Sequence, residues 1–320
     1  MNTKVKAGQY KGLNSLIIKN KILRAEYLPD YGSKLASVKN LKTGREYLYQ
    51  SSREKLKKPE WGADFSRYDA SGFDEIFPSV DPTFYPSGRY RGQQIPDHGD
   101  VWSLTWQYEL SFDKSEIQFR TAGPELPYRL KKTVMLDDNK LIIKYQAKNL
   151  SEEPFKFIWA AHPLFDCQDE VRILLPAGTD RVVNVDDSNE HLGSWGKIHS
   201  YPLTNSQKTG EDIDLSSVPT PDRQTCQKFY LPHRLEEGYC GLEYPESGER
   251  LELYFPADRV PYLGIWKSMG GFRGDYNLAL EPCTGVYDDL YLADKIGRAA
   301  IIPAGGEYTW KLTLQISIPN

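Results

Sequence analysis

"YRLKKTVMLDDNKLIIKYQAKNL", residues 128–150, holds two runs of alternating apolar and polar side chains joined by Asp137-Asp138-Asn139. A period of two is the mark of a strand with one face in a core, and the turn formers between the runs predict a hairpin. The same signature recurs in both directions along the chain. "SLIIKN", "KILRAEYLP", "VWSLTWQYELSF" and "EIQFRTA" precede it; "RLELYF" and "YTWKLTLQISI" follow, the last opened by Gly305-Gly306. Helical periodicity is confined to "SRYDASGFDEIF" (66–77) and "DDLYLADKIG" (288–297), each long enough for one short helix or turn. An all-β protein is expected.

The 320 residues contain no Pro/Ser-rich linker, no repeat of fixed period and no low-complexity tract, so one domain spanning 1–320 is expected. Two stretches fall outside the strand pattern. Residues 186–223 are polar and rich in turn formers, and read as excursions from the sheets. Residues 51–97 include "GFDEIFPSVDPTFYPSG", and a long irregular segment rich in aromatics is more often a functional wall than a linker.

Composition narrows the function. The chain is 39% hydrophobic and 12% aromatic, enough for a substantial core, and its 40 basic and 44 acidic residues are well mixed. With a net charge of -4 and no basic stripe, neither nucleic acid nor an anionic membrane is an expected partner. No apolar run approaches the roughly 18 residues that span a bilayer. The N-terminal "MNTKVKAGQYKGLNSLIIKN" lacks the apolar core of a signal peptide. Cys167, Cys226, Cys240 and Cys283 show no CxxC spacing and suit reduced thiols. A cytoplasmic location is expected.

Chemistry concentrates in three places. "FIWAAHPLF" (157–165) sets His162 inside an apolar run; with strand parity, the bulky Phe155, Phe157 and Trp159 share one face, while His162 shares the other with Ala160. Pro163 is expected to end regular pairing there. A histidine satisfied inside the core is the alternative to one that faces a cavity. In "YNLALEPCTG" (276–285), Glu281 shares a face with Asn277 and Ala279, again before a proline. A carboxylate leaving a β core is solvated, paired or used, and a simple position at the sheet rim is the competing reading. In "IPDHGDVW" (95–102), His98 sits in a turn where Asp97 or Asp100 is placed to orient the imidazole, unless it is only a surface histidine. Arg89 and Arg91, just upstream, are either solvated charges or a bidentate donor to a polyol. Aromatics add a sugar-like flavour: Trp266 precedes a glycine pair, and Phe73 and Phe77 flank Asp74 and Glu75. Core packing is the alternative for any one of them. No nucleophile elbow, P-loop, dinucleotide fingerprint or H-E-x-x-H is present, and the five histidines form no local metal motif.

Taken in order, "GFDEIFPSV", "PDHGDVW", "AAHPLF", "YLGIW" with its glycine pair and "LALEPCTG" resemble the aldose 1-epimerase (galactose mutarotase-like) family. The opening "YLPDYGSKLASVKNLKTGREYLY" is similar to the family's early segment, and the resemblance runs from about Ile22 to the end. It implies a large single-domain β-sandwich, the galactose mutarotase-like supersandwich, with a cleft for a small-molecule sugar. It implies Glu281 as general base on the anomeric hydroxyl and His162 as general acid on the ring oxygen. It further implies His98 as a substrate hydrogen-bonding partner and an arginine upstream of it, Arg91 or Arg89. Asp74 and Trp266 are the remaining candidates for sugar contact. No metal and no cofactor are expected, and the chain is expected to act as a monomer or homodimer. In galactose mutarotases proper a second glycine follows the first histidine's glycine; here Asp100 follows Gly99, which marks a divergent branch.

Mutarotation needs a proton taken from O1 while another reaches O5, so the pair is expected to work with Glu281 ionised and His162 protonated. Two further readings share the fold: a mutarotase of hexose 6-phosphates, which needs a cluster of arginines or lysines in the cleft, and a non-catalytic sugar-binding protein.

Overall fold

The computed structural model describes residues 3–167, 170–219 and 224–317. The hairpin expected at 128–150 forms: Tyr128–Asp137 pairs with Lys140–Asn149, and Asp138 takes a positive φ of 52° in the two-residue turn. Alternation decides its faces. Leu130, Val134 and Leu136 on one strand and Leu141, Ile143, Tyr145 and Ala147 on the other are buried, while Arg129, Lys131 and Lys144 point outward.

This hairpin is the middle of an eight-stranded antiparallel sheet, completed on one side by Glu307–Ser317, Glu249–Tyr254, Tyr239–Tyr244 and Arg172–Leu174 and on the other by Glu116–Ala122 and Gln107–Leu110. Against it packs an eleven-stranded sheet whose spatial order is not the chain order. From one edge the strands run Lys4–Tyr10, Leu13–Lys19, Leu23–Leu28, Lys34–Asn40, Phe73–Ile76, Ala160–Asp166, Tyr276–Cys283, Tyr262–Met269, Thr225–Tyr230, Arg181–Asn184 and Ile198–Ser200. The apolar faces of the two sheets meet in one core of buried aliphatic and aromatic side chains. The result is the β-sandwich expected from the strand pattern.

Two polar clamps cross this core. Lys132 breaks the apolar alternation of its strand. Its ammonium lies 2.9 Å from Glu75 Oε1, on the facing sheet, and Glu75 also accepts from Tyr145 OH at 2.9 Å and Trp159 Nε1 at 3.0 Å. Both oxygens of that buried carboxylate are used structurally, which suits burial of a charge. The Thr43-Gly44-Arg45-Glu46 turn is a second clamp: Thr43 and Arg45 both donate to the buried Glu249.

Three local expectations change. Pro163 does not end its strand; Ala160–Asp166 runs through it, and the neighbouring Leu164 N–H bonds Gly72 O. Of the segment 66–77, only a single 3-10 turn at Phe65–Arg67, capped by Asp64, is helical, and Phe73–Ile76 is a central strand. Leu290–Lys295 is the helix expected near 288–297, with the Asp289 side chain accepting from Leu292 N. The end of the 186–223 excursion lies outside the described residues, and its described part carries only short strands.

Candidate active site

The centre of the large sheet brings His162 and Glu281 together. Ala160 pairs with Cys283 and Leu164 with Ala279, so His162 stands directly opposite Glu281 on the neighbouring strand. His162 Nε2 lies 3.6 Å from Glu281 Oε1. On the other side of the same row, His162 faces Asp74 and Glu281 faces Gly264. That glycine is a packing requirement: a Cβ there would sit 3.1 Å from Glu281 Oε2 and 2.9 Å from Tyr230 Cζ.

Above this row opens a cavity of about 350 Å³, walled in part by His98, His162, Lys228, Trp266, Asp288 and Phe65. Trp266 lies inside its strand rather than at its end, with its ring 6.5 Å from that of His162 and edge-on to Phe272. His98 reaches the cavity from the loop before Val101. Its backbone N–H is tied to Val80 O, its φ is 58°, and its ring stacks on Phe65 with centroids 3.9 Å apart. Gly99 next to it must be glycine, because a Cβ there would lie 2.2 Å from Phe77 O. Asp97 is the carboxylate that orients the imidazole, at 2.8 Å from Nδ1. Asp100 is occupied elsewhere, accepting from Trp61 and Tyr128.

Two expected substrate contacts do not lie in the cavity wall. Asp74 shares the row with His162 but is fully buried beneath it, 2.8 Å from Lys34 Nζ. Lys34 is itself buried, bound to Asp69 and to the carbonyls of Asp69 and Ser71. Burial raises the Asp74 carboxyl to about 6 even though Lys34 opposes it. It pairs across the sheet with His162 and, like Glu281, does not itself wall the cavity. Arg91 follows the 3-10 turn Gly88–Tyr90, between the paired Thr83–Phe84 and Gln94–Ile95, and is not among the residues that wall the cavity. Arg89 is on the same turn, its guanidinium over the Tyr90 ring, so neither arginine reaches the cavity.

The residue types in the wall were only partly legible beforehand. Lys228, Asp288 and Tyr230 were missed. Lys228 Nζ lies 3.0 Å from Glu281 Oε2 and 2.9 Å from Asp288 Oδ2, and Tyr230 OH donates to Asp288 Oδ1 at 2.6 Å. The available signal was a lysine in the strand-like "TCQKFYL", sharing a face with Cys226 and Tyr230.

Electrostatics reverse one expectation. Burial, reinforced by His98, Lys228 and Lys34, holds the His162 imidazole well below its ordinary 6.5. Burial pushes the Glu281 carboxyl up, against the pull of Lys228 and with the added push of Asp288. The carboxylate and imidazole therefore move toward each other in proton affinity, and the buried imidazole favours its neutral form. A consequence for stability follows. Below about pH 6.5 an unfolded chain binds a proton on this imidazole that the folded protein refuses, so acidification favours unfolding. The fall in Tm between pH 7 and pH 5 is expected to be smaller in His162→Asn than in wild type. Equal falls would show that His162 carries no such penalty.

A sandwich of these two sheets with a sugar-sized cleft on its large sheet is the galactose mutarotase-like fold. The Slr1438 protein of Synechocystis sp. PCC 6803 superposes with a TM-score of 0.71 at 16% identity, covering 98% of this chain and 99% of that one. A galactose mutarotase related enzyme from Lactobacillus acidophilus gives 0.68 at 17% identity over 95% and 97% of the two chains. A galactose mutarotase-like protein from Lactobacillus casei gives 0.65 at 18% identity over 95% and 100%. The aldose 1-epimerase family model matches residues 15–233. The chain belongs to the aldose 1-epimerase family. No curated protein matches it in sequence.

Proposed function

We propose that this protein interconverts the α and β anomers of a free, unphosphorylated aldose, with Glu281 as the base at O1 and His162 as the acid at O5. The observation that carries this reading is the pairing itself: a buried carboxylate and a buried imidazole on adjacent strands, 3.6 Å apart at the base of a sugar-sized cavity. His162 Nδ1 and both oxygens of Glu281 meet no hydrogen-bond partner within the protein, Lys228 facing Oε2 as an ion pair at 3.0 Å, so the pair retains capacity for a substrate. Polar groups this deep are costly unless used. Burial disfavours the charged form of each group, and the reactive arrangement has a proton on His162 and none on Glu281. Removal of the O1 proton and protonation of O5 opens the ring. Rotation about C1–C2 and reclosure return both protons to their starting groups. Glu281 itself is fully buried and does not wall the cavity; the wall residues Lys228 and His162 lie 3.0 Å and 3.6 Å from its carboxylate oxygens.

Charge separates the free aldose from the hexose 6-phosphate reading. Among the described residues in the cavity wall, Asp81, Asp186 and Asp288 outnumber the single lysine, and Lys228 is already paired with two carboxylates. A dianionic phosphate finds no cationic cluster there. A neutral sugar, by contrast, meets carboxylates and histidines suited to its hydroxyls and the Trp266 ring suited to its C–H face. Anomer exchange run on matched pairs, each hexose against its 6-phosphate, is expected to favour the neutral member by at least tenfold. Faster exchange of the phosphate ester would overturn the neutral-sugar reading.

This reading takes the whole chain as one domain, since both sheets draw strands from both halves, and as acting in the cytoplasm. Among the described residues no helix is long and apolar enough to cross a membrane.

A further inference from the structure

We propose that Lys228 is the positioning residue of the base: its ammonium holds Glu281 Oε2, so that Oε1 is the oxygen left to take the substrate's proton. This rests on the mutarotase reading for its chemistry, but not for its geometry. The two oxygens of Glu281 are divided between two elements, Oε2 at 3.0 Å from Lys228 and Oε1 at 3.6 Å from His162. Lys228 is in turn fixed from behind by Asp288 Oδ2 at 2.9 Å, and Asp288 by the Tyr230 hydroxyl at 2.6 Å. The backbone carbonyl of Asp288 is anchored as well, accepting from Val80 N, Asp81 N and Ser79 Oγ. A relay of Tyr230, Asp288 and Lys228 thus ends on one oxygen of the base and leaves the carboxylate a single orientation.

The same ammonium decides which form of Glu281 is present. A fully buried carboxyl surrounded by apolar strands would stay protonated, and a protonated Glu281 cannot accept from O1. The groups facing it are His162 from the adjacent strand, Lys228 and Tyr230 from Thr225–Tyr230, Asp288 from the loop after Cys283, and His98 from the loop at 97–99. Asp288 disfavours the carboxylate; Lys228 and His98 favour it, and Lys228 is the one in contact. Lys228 itself stays protonated: burial opposes its charge, but Asp288 and then Glu281 outweigh burial and hold its proton affinity far above that of a free lysine. Lys228 disfavours a proton on His162 as well as on Glu281, but it touches only Glu281, and what the contact supplies is the ionised carboxylate that O1 needs.

The test is a titration that needs no turnover. Protein carrying ¹³C at the glutamate carboxyl is followed by NMR, with the Glu281 signal assigned by its loss in Glu281→Gln. In Lys228→Met the Glu281 carboxyl is expected to titrate roughly one to three pH units higher than in wild type. Lys228→Arg is expected to restore most of the wild-type position, and it serves as the folded control if the methionine variant is too unstable to titrate. In that case Asp288→Asn, which frees Lys228 on one side, is expected to lower the Glu281 titration instead. An unmoved Glu281 signal in Lys228→Met, or in Asp288→Asn where the methionine variant does not fold, would overturn the assignment. The companion kinetic readout is the acidic limb of kcat/KM against pH, expected to move up with the carboxyl in Lys228→Met. A lower amplitude with unmoved limbs would mean that Lys228 only supports the fold. Failure of wild-type protein to exchange any sugar would refute the mutarotase reading and leave the titration result standing.

Discussion

Glu281→Gln is expected to lower the rate of anomer exchange by roughly 10²–10⁴-fold while leaving the fold and sugar binding in place. The amide keeps the shape of the carboxyl, and Gly264 opposite leaves no tighter fit to be disturbed. Lys228 keeps Asp288 as a partner, so the substitution strands no cation without its counter-charge. What disappears is the carboxylate that lies 3.6 Å from His162 Nε2. The check is exchange rate and thermal midpoint measured on the same preparation. A variant that exchanges sugar at the wild-type rate would end the assignment of Glu281 as base, whatever its stability.

Lys34→Met is expected to produce the largest loss of stability, about 3–5 kcal/mol by denaturant unfolding. Lys34 has no exposed side-chain surface, and both of its ion-pair partners, Asp69 and Asp74, are about as deeply buried. Methionine fills the stem but not the ammonium, so two carboxylates lose their shared cation in a place where water does not replace it. Asp74 would then stay protonated over a wider pH range than its present value of about 6. Asp74 pairs across the sheet with His162, so activity should fall with stability in this variant. A loss below about 1 kcal/mol, the range of a surface ion pair, would mean that the triad is solvated in a way its burial does not suggest.

What the sequence made legible was periodicity, because alternation is local. The hairpin at 128–150 and the all-β class follow from neighbouring side chains alone, and so does the parity that put Ala160 with His162 and Ala279 with Glu281. Long-range pairing is not local. Nothing in "AAHPLF" says that its partner strand is Tyr276–Cys283, more than a hundred residues later, and only that register sets His162 against Glu281. The five ordered motifs supplied the link by resemblance. The ion-pair relay was illegible for the same reason: Lys228 and Asp288 are ordinary charges in sequence, and become a unit only when the loop after Tyr276–Cys283 meets the strand Thr225–Tyr230. Arg91 failed as a site residue because spacing along a loop does not tell which way the loop leaves the sheet. Asp74 failed because a carboxylate beside aromatics reads the same whether a sugar or a buried lysine satisfies it.

The central claim is that the Glu281–His162 pair moves protons on a sugar. The most direct test is NMR saturation transfer between the α and β anomers of a panel of neutral aldoses, with wild-type protein, Glu281→Gln and His162→Asn side by side. Acceleration by wild type for at least one aldose, lost in both variants while they remain folded, is the predicted result. Binding of a sugar with no acceleration by wild-type protein, or acceleration that survives both substitutions, would contradict it.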